Sequence, residues 1–353
     1  MLPPWPFPAH ATVAEIGEHA LIEWIRQAVA TQPPGRGVVI GIGDDAAVVA
    51  PVRNHLDVVT TDSHVEDVHF SWHLSEPAQV GARALHVNLS DVAAMGAEPR
   101  FALLSLGVPA TLSGDRLHEL ISGLLTAAAE ARVALIGGNV SRAPVLTMDV
   151  TLSGAVKRRH LLQRRGARPG DEIYVSGTAG AAAAGLAWLT HGSPTDAAIE
   201  AIDEAVTRYR TPTARVALGV QVARNRAASS CMDTSDGLAD ALHQMSAASG
   251  VGMRVEQALV PVHASVFAVA TRVQRDPWEL ALAGGDDYEL VFTVPRRVRR
   301  RFRHATGRAG MPPVTRIGVC TRETGVEMVD QHGSAQAWPA GFAHFARPAA
   351  PGV

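Results

Sequence analysis

Carboxylates beside glycines recur along this chain where apolar runs break off. Val38-Val39-Ile40 leads into Gly41-Ile42-Gly43-Asp44-Asp45, and the β-forming run Leu56 to Val59 ends in Thr60-Thr61-Asp62. Asn88-Leu89-Ser90-Asp91, Gly137-Gly138-Asn139, Asp233-Thr234-Ser235-Asp236-Gly237 and Gly284-Gly285-Asp286-Asp287 each sit next to another apolar stretch. One such pair alone reads as a polar turn. Recurrence changes the reading, because carboxylates gathered at one place repel each other and keep their charge only with cations among them. Hard oxygen ligands of this kind suit Mg²⁺. The expected chemistry is a magnesium-phosphate site.

Other chemistries fit less well. His64 and His69 lie in Ser63-His64-Val65-Glu66-Asp67-Val68-His69-Phe70, but no thiolate or third histidine has the spacing of a zinc site. His69 beside Phe70 suits a contact to a phosphate or an aromatic ligand. Gly177-Thr178-Ala179-Gly180 opens an alanine-rich helix and could cradle phosphate; close helix packing explains its small residues equally well. Among 32 basic residues only Lys157 is a lysine, and no GxxxxGK[ST] is present. Phosphate-loop enzymes and protein kinases, which need a lysine in a defined setting, are thereby excluded. The formal net charge of −2 gives nothing global to attract nucleic acid or an anionic membrane. Arg296 to Arg308 is strongly basic, but Val298 and Phe302 fall four apart in it, which favours a solvated helix face over nucleic-acid binding. Trp338-Pro339-Ala340-Gly341-Phe342 puts aromatics near the end of an aromatic-poor chain, where one could stack on a ligand ring.

These residues need elements to hold them. Apolar spacing (Ile16, Ala20, Ile25, Val29) predicts a helix over Val13 to Ala30, closed by Pro33-Pro34-Gly35. Strands are expected at Val38 to Ile42 and Leu56 to Thr61, each delivering acids at its C-terminal end. Pro77 can open a helix to about Met95, on which Asn88 and Asp91 share a face. Phe101 to Val108 reads as a buried strand, and Asp115 to Arg132 as an amphipathic helix with Leu117, Leu120, Ile121, Leu124 and Leu125 inward. Val133 to Ile136 should end in a glycine turn, and Val145 to Val156 should be a long strand with Asp149 on its solvent side. The basic segment Lys157 to Arg168 reads as a domain junction, or as the source of an arginine, best Arg164, that reaches a nucleotide phosphate. Further strands are expected at Ile173 to Ser176, at Ser229 to Met232 and, last, at Thr315 to Val319. Ser235 or Asp236 can cap the helix after Gly237, which leaves Asp233 without a structural task.

With 353 residues, a hydrophobic fraction of 47% and 32 glycines, the chain reads as a two-domain α/β (α+β) protein. The expected division is a loose tail over 1–12, an N-terminal domain over 13–156, a C-terminal domain over 157–346 and a tail over 347–353. Apolar runs fall short of the roughly 20 residues a bilayer requires. Met1 to His10 lacks the basic start and apolar core of a signal peptide. Two cysteines, Cys231 and Cys320, without metal-ligand or disulfide-framework spacing favour a reducing compartment, with cytoplasm the default.

Taken in order, Gly43-Asp44-Asp45, Thr60-Thr61-Asp62 with Val68-His69-Phe70, Asn88-Leu89-Ser90-Asp91, Gly137-Gly138-Asn139, Met232-Asp233-Thr234-Ser235-Asp236-Gly237 and Gly285-Asp286-Asp287-Tyr288 closely resemble the thiamine-monophosphate kinase family. The likeness runs from about Glu15 to Phe345. That family falls in the ATP-binding superfamily of aminoimidazole ribonucleotide synthetase. The resemblance implies a two-domain fold with a homodimer formed through the N-terminal sheet, and thiamine monophosphate and ATP as substrates. It implies that Asp45, Thr60, Thr61, Asp62, Asp91, Asn139 and Asp233 hold magnesium, and that Asp236 holds a further ion. Asp45, Asp62, Asp91 and Asp233 would carry the catalysis. Gly138, Asn139, Arg164 and Ser235 would contact ATP, and His69, Asp286 and Phe342 the thiamine phosphate. Three positions depart from the family pattern: Asn139 where many relatives have aspartate, Asp286 where they have glutamate, and Ile121 where some place a tyrosine near adenine. The implied reaction is direct γ-phosphate transfer giving thiamine diphosphate and ADP. Rival readings are a selenophosphate synthetase, a hydrogenase-maturation dehydratase, a purine-pathway synthetase, or a magnesium-nucleotide sensor without turnover.

Overall fold

A computed structural model of the chain describes residues 3–33, 35–192 and 200–339. Phe342 and the tail from 347 lie outside them.

The N-terminal half holds α1 (Val13–Ile16), α2 (Glu18–Ala30), β1 (Val38–Ile40), β2 (Val48–Val49), β3 (Leu56–Val65), α3 (Pro77–Ala94), β4 (Glu98–Val108), α4 (Gly114–Ala131), β5 (Ala134–Arg142) and β6 (Thr147–Val156). β1 and β2 form a small antiparallel ribbon, and the remaining strands a sheet in the order β3-β6-β4-β5. Among the described residues helices cover only one face of that sheet. Leu117, Leu120, Ile121, Leu124 and Leu125 of α4 point inward as expected, and join Val80 and Leu85 of α3 and Leu104 and Val150 of the sheet in one core. The helices approach closely because α3 and α4 each place a glycine at the crossing: a Cβ on Gly81 would strike the Leu120 carbonyl, and one on Gly123 that of Ala78. The other face of the sheet is open, and on it Val59 is 66% and Leu103 41% exposed.

Several expectations for this half need correction. The first helix breaks at Gly17, whose φ of 82° ends α1 and starts α2; the buried stripe of α2 is Leu21, Trp24, Ile25 and Ala28, not one containing Ala20 and Val29. Residues 3–12 are not a loose tail. Trp5 stands edge-on to Trp24 with ring centroids 4.8 Å apart, the Gly114 N–H donates to the Ala11 carbonyl at 2.8 Å, and Thr12 forms a capping box with Glu15 on α1. Aromatic burial outweighs the polyproline bias of that segment. β3 runs past Asp62 to Val65, so Asp62 lies inside a strand rather than at its end. Gly137-Gly138-Asn139 likewise does not turn: β5 continues through it, beside β4, with a bulge that passes over Ile136. Gly138 serves that pairing, since a Cβ there would meet the Leu104 backbone carbonyl.

The C-terminal half contains β7 (Glu172–Ser176), α5 (Ala181–His191), α6 (Glu200–Arg210), α7 (Val216–Arg224), β8 (Ser230–Asp233), α8 (Leu238–Ser249), β9 (Gly252–Glu256), α9 (Ser265–Val273), α10 (Pro277–Leu282), β10 (Leu290–Val294), α11 (Arg299–Thr306), β11 (Val314–Thr321), β12 (Gly325–Val329) and β13 (Ala335–Gln336). Its sheet runs β13-β12-β9-β11-β7-β10-β8. β12 and β13 extend it beyond the strand expected to be last, with β12 parallel to β9. α5, α8, α9 and α10 pack on one face. α7 and α11 pack on the other, where Ala93 and Ala94 from the end of α3 join the same core. α3 thus belongs to both halves. Phe302 of α11 is buried while the arginines around it are exposed or half-buried, as a solvated basic helix requires. Among the described residues no helix is long and apolar enough to cross a membrane.

Candidate active site

A cleft of about 1200 Å³ opens where β3, α3 and one end of the larger sheet meet, and it is lined by Asp62, His69, Asp91, Asp233, Ser235, Asp236 and Asp286 among others. Three local rules bring these residues together. Alternation along β3 turns Thr60, Asp62 and His64 toward the helix-covered face and Thr61 and Ser63 to the open one. Helical periodicity puts Asn88 and Asp91 on one side of α3. Antiparallel pairing of β8 with β10, with Leu290 opposite Asp233, sets the end of one strand beside the start of the other. Asp233 and Asp286 therefore lie at the same end of the sheet, although one ends a strand and the other precedes one.

Two hydrogen bonds tie the acids across the elements. The Thr60 hydroxyl donates to Asp91 Oδ2, and the Ser90 hydroxyl donates to Asp233 Oδ2 at 2.8 Å. Burial, then the charges of Asp91 and Asp236, pushes Asp62 up to about 6. Burial and Asp91 push Asp233 up to about 7, against the Ser90 hydrogen bond and Arg164. Asp91 is raised by burial in the same way, opposed by Thr60 and Arg164. The cluster is short of positive charge, which is the chemistry of a donor set that takes cations. Among the described residues no three His, Cys, Asp or Glu side chains close around a common point. Mg²⁺ does not need such a cage, because it keeps waters and binds through one or two carboxylates together with substrate phosphates.

The other side of the cleft is built around Arg83. This residue of α3 is 4% exposed. Its Nη2 pairs with Asp286 Oδ2 at 2.8 Å, its Nη1 donates to the Tyr209 carbonyl at 2.5 Å, and its guanidinium lies 4.7 Å from the Tyr209 ring centre. Burial opposes its charge, and Asp286 and the two tyrosines more than offset that. Asp286 adopts a φ of 72°, held by its N–H to the Ser235 carbonyl (2.8 Å) and by the Tyr288 hydroxyl at 3.1 Å. His64 and His69 stack at 5.8 Å. Burial, with Arg83 and His69 nearby, drops His64 to about 3, so its ring is neutral at pH 7. Among the described residues its Nε2 has no hydrogen-bond partner, nor have Arg83 Nε and Asn88 Oδ1.

Two family models match the chain: the N-terminal domain of AIR synthase related protein over residues 43–156, and the C-terminal domain over 168–331. The thiamine-monophosphate kinase of Bacillus subtilis is 34% identical over 289 residues, covering 81% of this chain and 87% of the relative. That of Escherichia coli K12 is 37% identical over 313 residues, covering 88% and 93%. The chain belongs to the thiamine-monophosphate kinase family. A crystal structure of the Stenotrophomonas maltophilia member superimposes with a TM-score of 0.78 at 35% identity, over 91% of this chain and 98% of that one. AaThiL complexed with AMPPCP and TMP does so at 0.72 and 30% identity, over 94% and 98%. Hydrogenase maturation protein HypE of E. coli, at 19% identity and a TM-score of 0.73, shares the fold.

Within this thiamine-monophosphate kinase fold, Asp62, Asp91, Asp233, Ser235, Asp236, His69 and Asp286 all line the one cleft. Arg164, exposed, lends its charge to Asp91 and Asp233 and donates to Gln244 Oε1 at 2.6 Å. Other expected residues stand apart. Asp45 sits in an exposed turn between β1 and β2, outside the cleft lining. Thr61 Oγ1 donates to the Val150 carbonyl on the open face of β3. Asn139 pairs with Ser105 on that open face, on the edge strand farthest from β3, and Gly138 precedes it. Ile121 is 0% exposed and belongs to the N-terminal core. The N-cap position of the helix after Gly237 is Gly237 itself, which has no side chain to cap with, so neither Ser235 nor Asp236 holds that position. The glycine turn before α5 does not leave a phosphate cradle: Asp287 accepts the N–H groups of Gly180 (2.5 Å) and Ala182 (2.9 Å). Sequence reasoning missed Arg83, Ser90 and Tyr209. Arg83 and Ser90 sit within the stretch already singled out on α3, but nothing in residue order signals that they meet Asp286 and Asp233.

Proposed function

We propose that this thiamine-phosphate kinase transfers the γ-phosphate of ATP to thiamine monophosphate by direct in-line attack, without a phosphoenzyme and with several Mg²⁺ ions. A phosphate monoester has a second pKa of about 6, so the acceptor oxygen is already anionic at neutral pH and needs no general base. That oxygen forms a bond to the γ-phosphorus as the bond to the β,γ-bridging oxygen breaks, and the bridging oxygen leaves with ADP. The difficulty is bringing two anions into contact.

The observation that carries the reading is the convergence of Asp62, Asp91, Asp233 and Asp236 on one cleft, the first three raised by burial. Magnesium bound among them supplies the charge that screens the two phosphates from each other. Thr60 orients Asp91, and Ser90 orients Asp233. Arg164 and Ser235 take the nucleotide phosphates. His69 and Asp286 take the acceptor, with Arg83 fixing Asp286; Phe342, outside the described residues, keeps the contact to thiamine phosphate that the family resemblance implies. Asp45, Thr61, Gly138 and Asn139 stand off the cleft of their own chain, so the roles proposed for them require a second copy. The open sheet face with Val59 and Leu103 supports a homodimer formed there. Both cysteines are unpaired and buried, which supports a cytoplasmic setting.

The test is Asp62→Ala and Asp91→Ala, assayed for ADP release with ATP, Mg²⁺ and thiamine monophosphate. Each should lose about 100-fold or more in turnover. Because each removes a repelling charge, neither should melt lower than the parent in EDTA. Full activity in both variants overturns the assignment.

A further inference from the structure

Several arginines in this protein meet a carboxylate: Arg208 and Arg215 meet Glu289, Arg224 meets Glu98, and Arg254 meets Glu327. Arg165, Arg168, Arg226 and Arg297 do not. These four line one hollow of about 590 Å³, at the end of β8 and β10 opposite the cleft. Among the described residues none of them makes an ion pair, and the one side-chain hydrogen bond they have is Arg165 Nε to Gln163 Oε1 at 3.1 Å. Among the described residues the single carboxylate in the wall is Asp171. It is 5% exposed and already accepts the Arg168 backbone N–H (3.1 Å) and the Ser229 hydroxyl (2.6 Å).

The wall is fastened before any ligand arrives. Ser249 Oγ accepts the N–H groups of Gly166 at 3.1 Å and Ala167 at 3.2 Å, between the two arginines of that loop. Gly166 has a φ of 125°, and a Cβ on it would strike the Ser229 carbonyl. The four arginines are exposed side chains around one hollow, and a multivalent anion seated there offsets the repulsion of guanidinium groups drawn to it. Guanidinium forks match phosphate oxygens in particular. Among the described residues no aromatic side chain lines the hollow, so no ring there stacks on a base or a heterocycle. We infer that this hollow is a second, non-catalytic site for a compact polyvalent phosphate anion, either free or as the phosphate tail of a larger molecule.

The experiment is calorimetric titration of the full chain with pyrophosphate in EDTA, where the acid-lined cleft repels the probe. Saturable binding is expected, weakening with salt. The double variant Arg226→Gln/Arg297→Gln should lose about tenfold or more in affinity, whereas Asp62→Asn should leave it unchanged. ADP as a second probe separates the sources: affinity equal to that of pyrophosphate assigns the free anion's chemistry, and tighter ADP binding with the same arginine dependence assigns a phosphate tail. Absence of binding, binding indifferent to the double variant, or binding of ADP with none of pyrophosphate overturns the inference. If the double variant fails to fold, Arg165→Gln and Arg168→Gln, taken singly, make the same comparison.

Discussion

Asp286, Asp287 and Glu289 stand within four positions of one another and have three unrelated tasks. Asp286 meets Arg83 in the cleft. Asp287 caps α5 from outside the helix, and burial pushes it up to about 7 against the pull of the two backbone donors. Glu289 takes both Arg208 and Arg215, together with the Ser176 hydroxyl at 2.5 Å. Burial alone would raise Glu289, but Arg215, Arg208 and Ser176 outweigh it and hold its carboxyl below its ordinary value. A depressed acid stabilises the fold in full above its unfolded value of 4.5, and that stability is lost as pH falls through the lower folded value. Glu289→Gln leaves two half-buried guanidiniums without their anion and should cost about 3–5 kcal/mol at pH 7. Urea unfolding checks this, and the gap between variant and parent should narrow as the medium is acidified below pH 4.5. The paired acids were visible in residue order; which of them faces the cleft was not, because that depends on a helix and arginines distant in sequence.

At the level of elements, α3 does the most. It carries Arg83, Ser90 and Asp91 and packs against both halves of the molecule. Its contact with α7 depends on Gly219, where a Cβ would run into the Ala93 carbonyl. Gly219→Val should push the two helices apart, costing about 1–3 kcal/mol, and should lower turnover by disturbing the Ser90–Asp233 hydrogen bond. Denaturant unfolding and the ADP assay read the two effects separately, and unchanged turnover in a destabilised variant would detach the α3–α7 contact from the site. Helices and strands with strong periodicity, such as α3, α4 and β6, were legible because burial repeats in step with the backbone. β5 was misread as ending in a turn because glycine has two uses, and close approach by β4 prevailed over chain reversal.

For the whole molecule, the open face of the four-stranded sheet is the surface that bears on assembly. Val59 and Leu103 lie exposed there beside a ribbon whose Val39 is also 66% exposed. A second copy of this chain on that face would cover them, and the parent should sediment as a dimer. Val59→Asp with Leu103→Asp should give a folded monomer, seen in sedimentation velocity and circular dichroism. A parent that sediments as a monomer rules out the dimer. Asp45 and Asn139 make the same point from the site: they lie outside the cleft of their own chain, and Asn139 faces away from Asp62 across the sheet.

Residue order was enough to read the two-domain α/β class, the kinase family and the acid-rich character of the site, because apolar period, glycine placement and clustered carboxylates are local properties. It could not say that Ser90 would meet Asp233 or that Arg83 would meet Asp286. Nor could it tell that Asp287 caps a helix or that Ile121 lies in a core. Those outcomes depend on which strand pairs with which and on which face a side chain leaves its backbone. Both follow from packing between segments distant in sequence, more than a hundred residues apart for the Ser90–Asp233, Arg83–Asp286 and Asp287–Gly180 contacts.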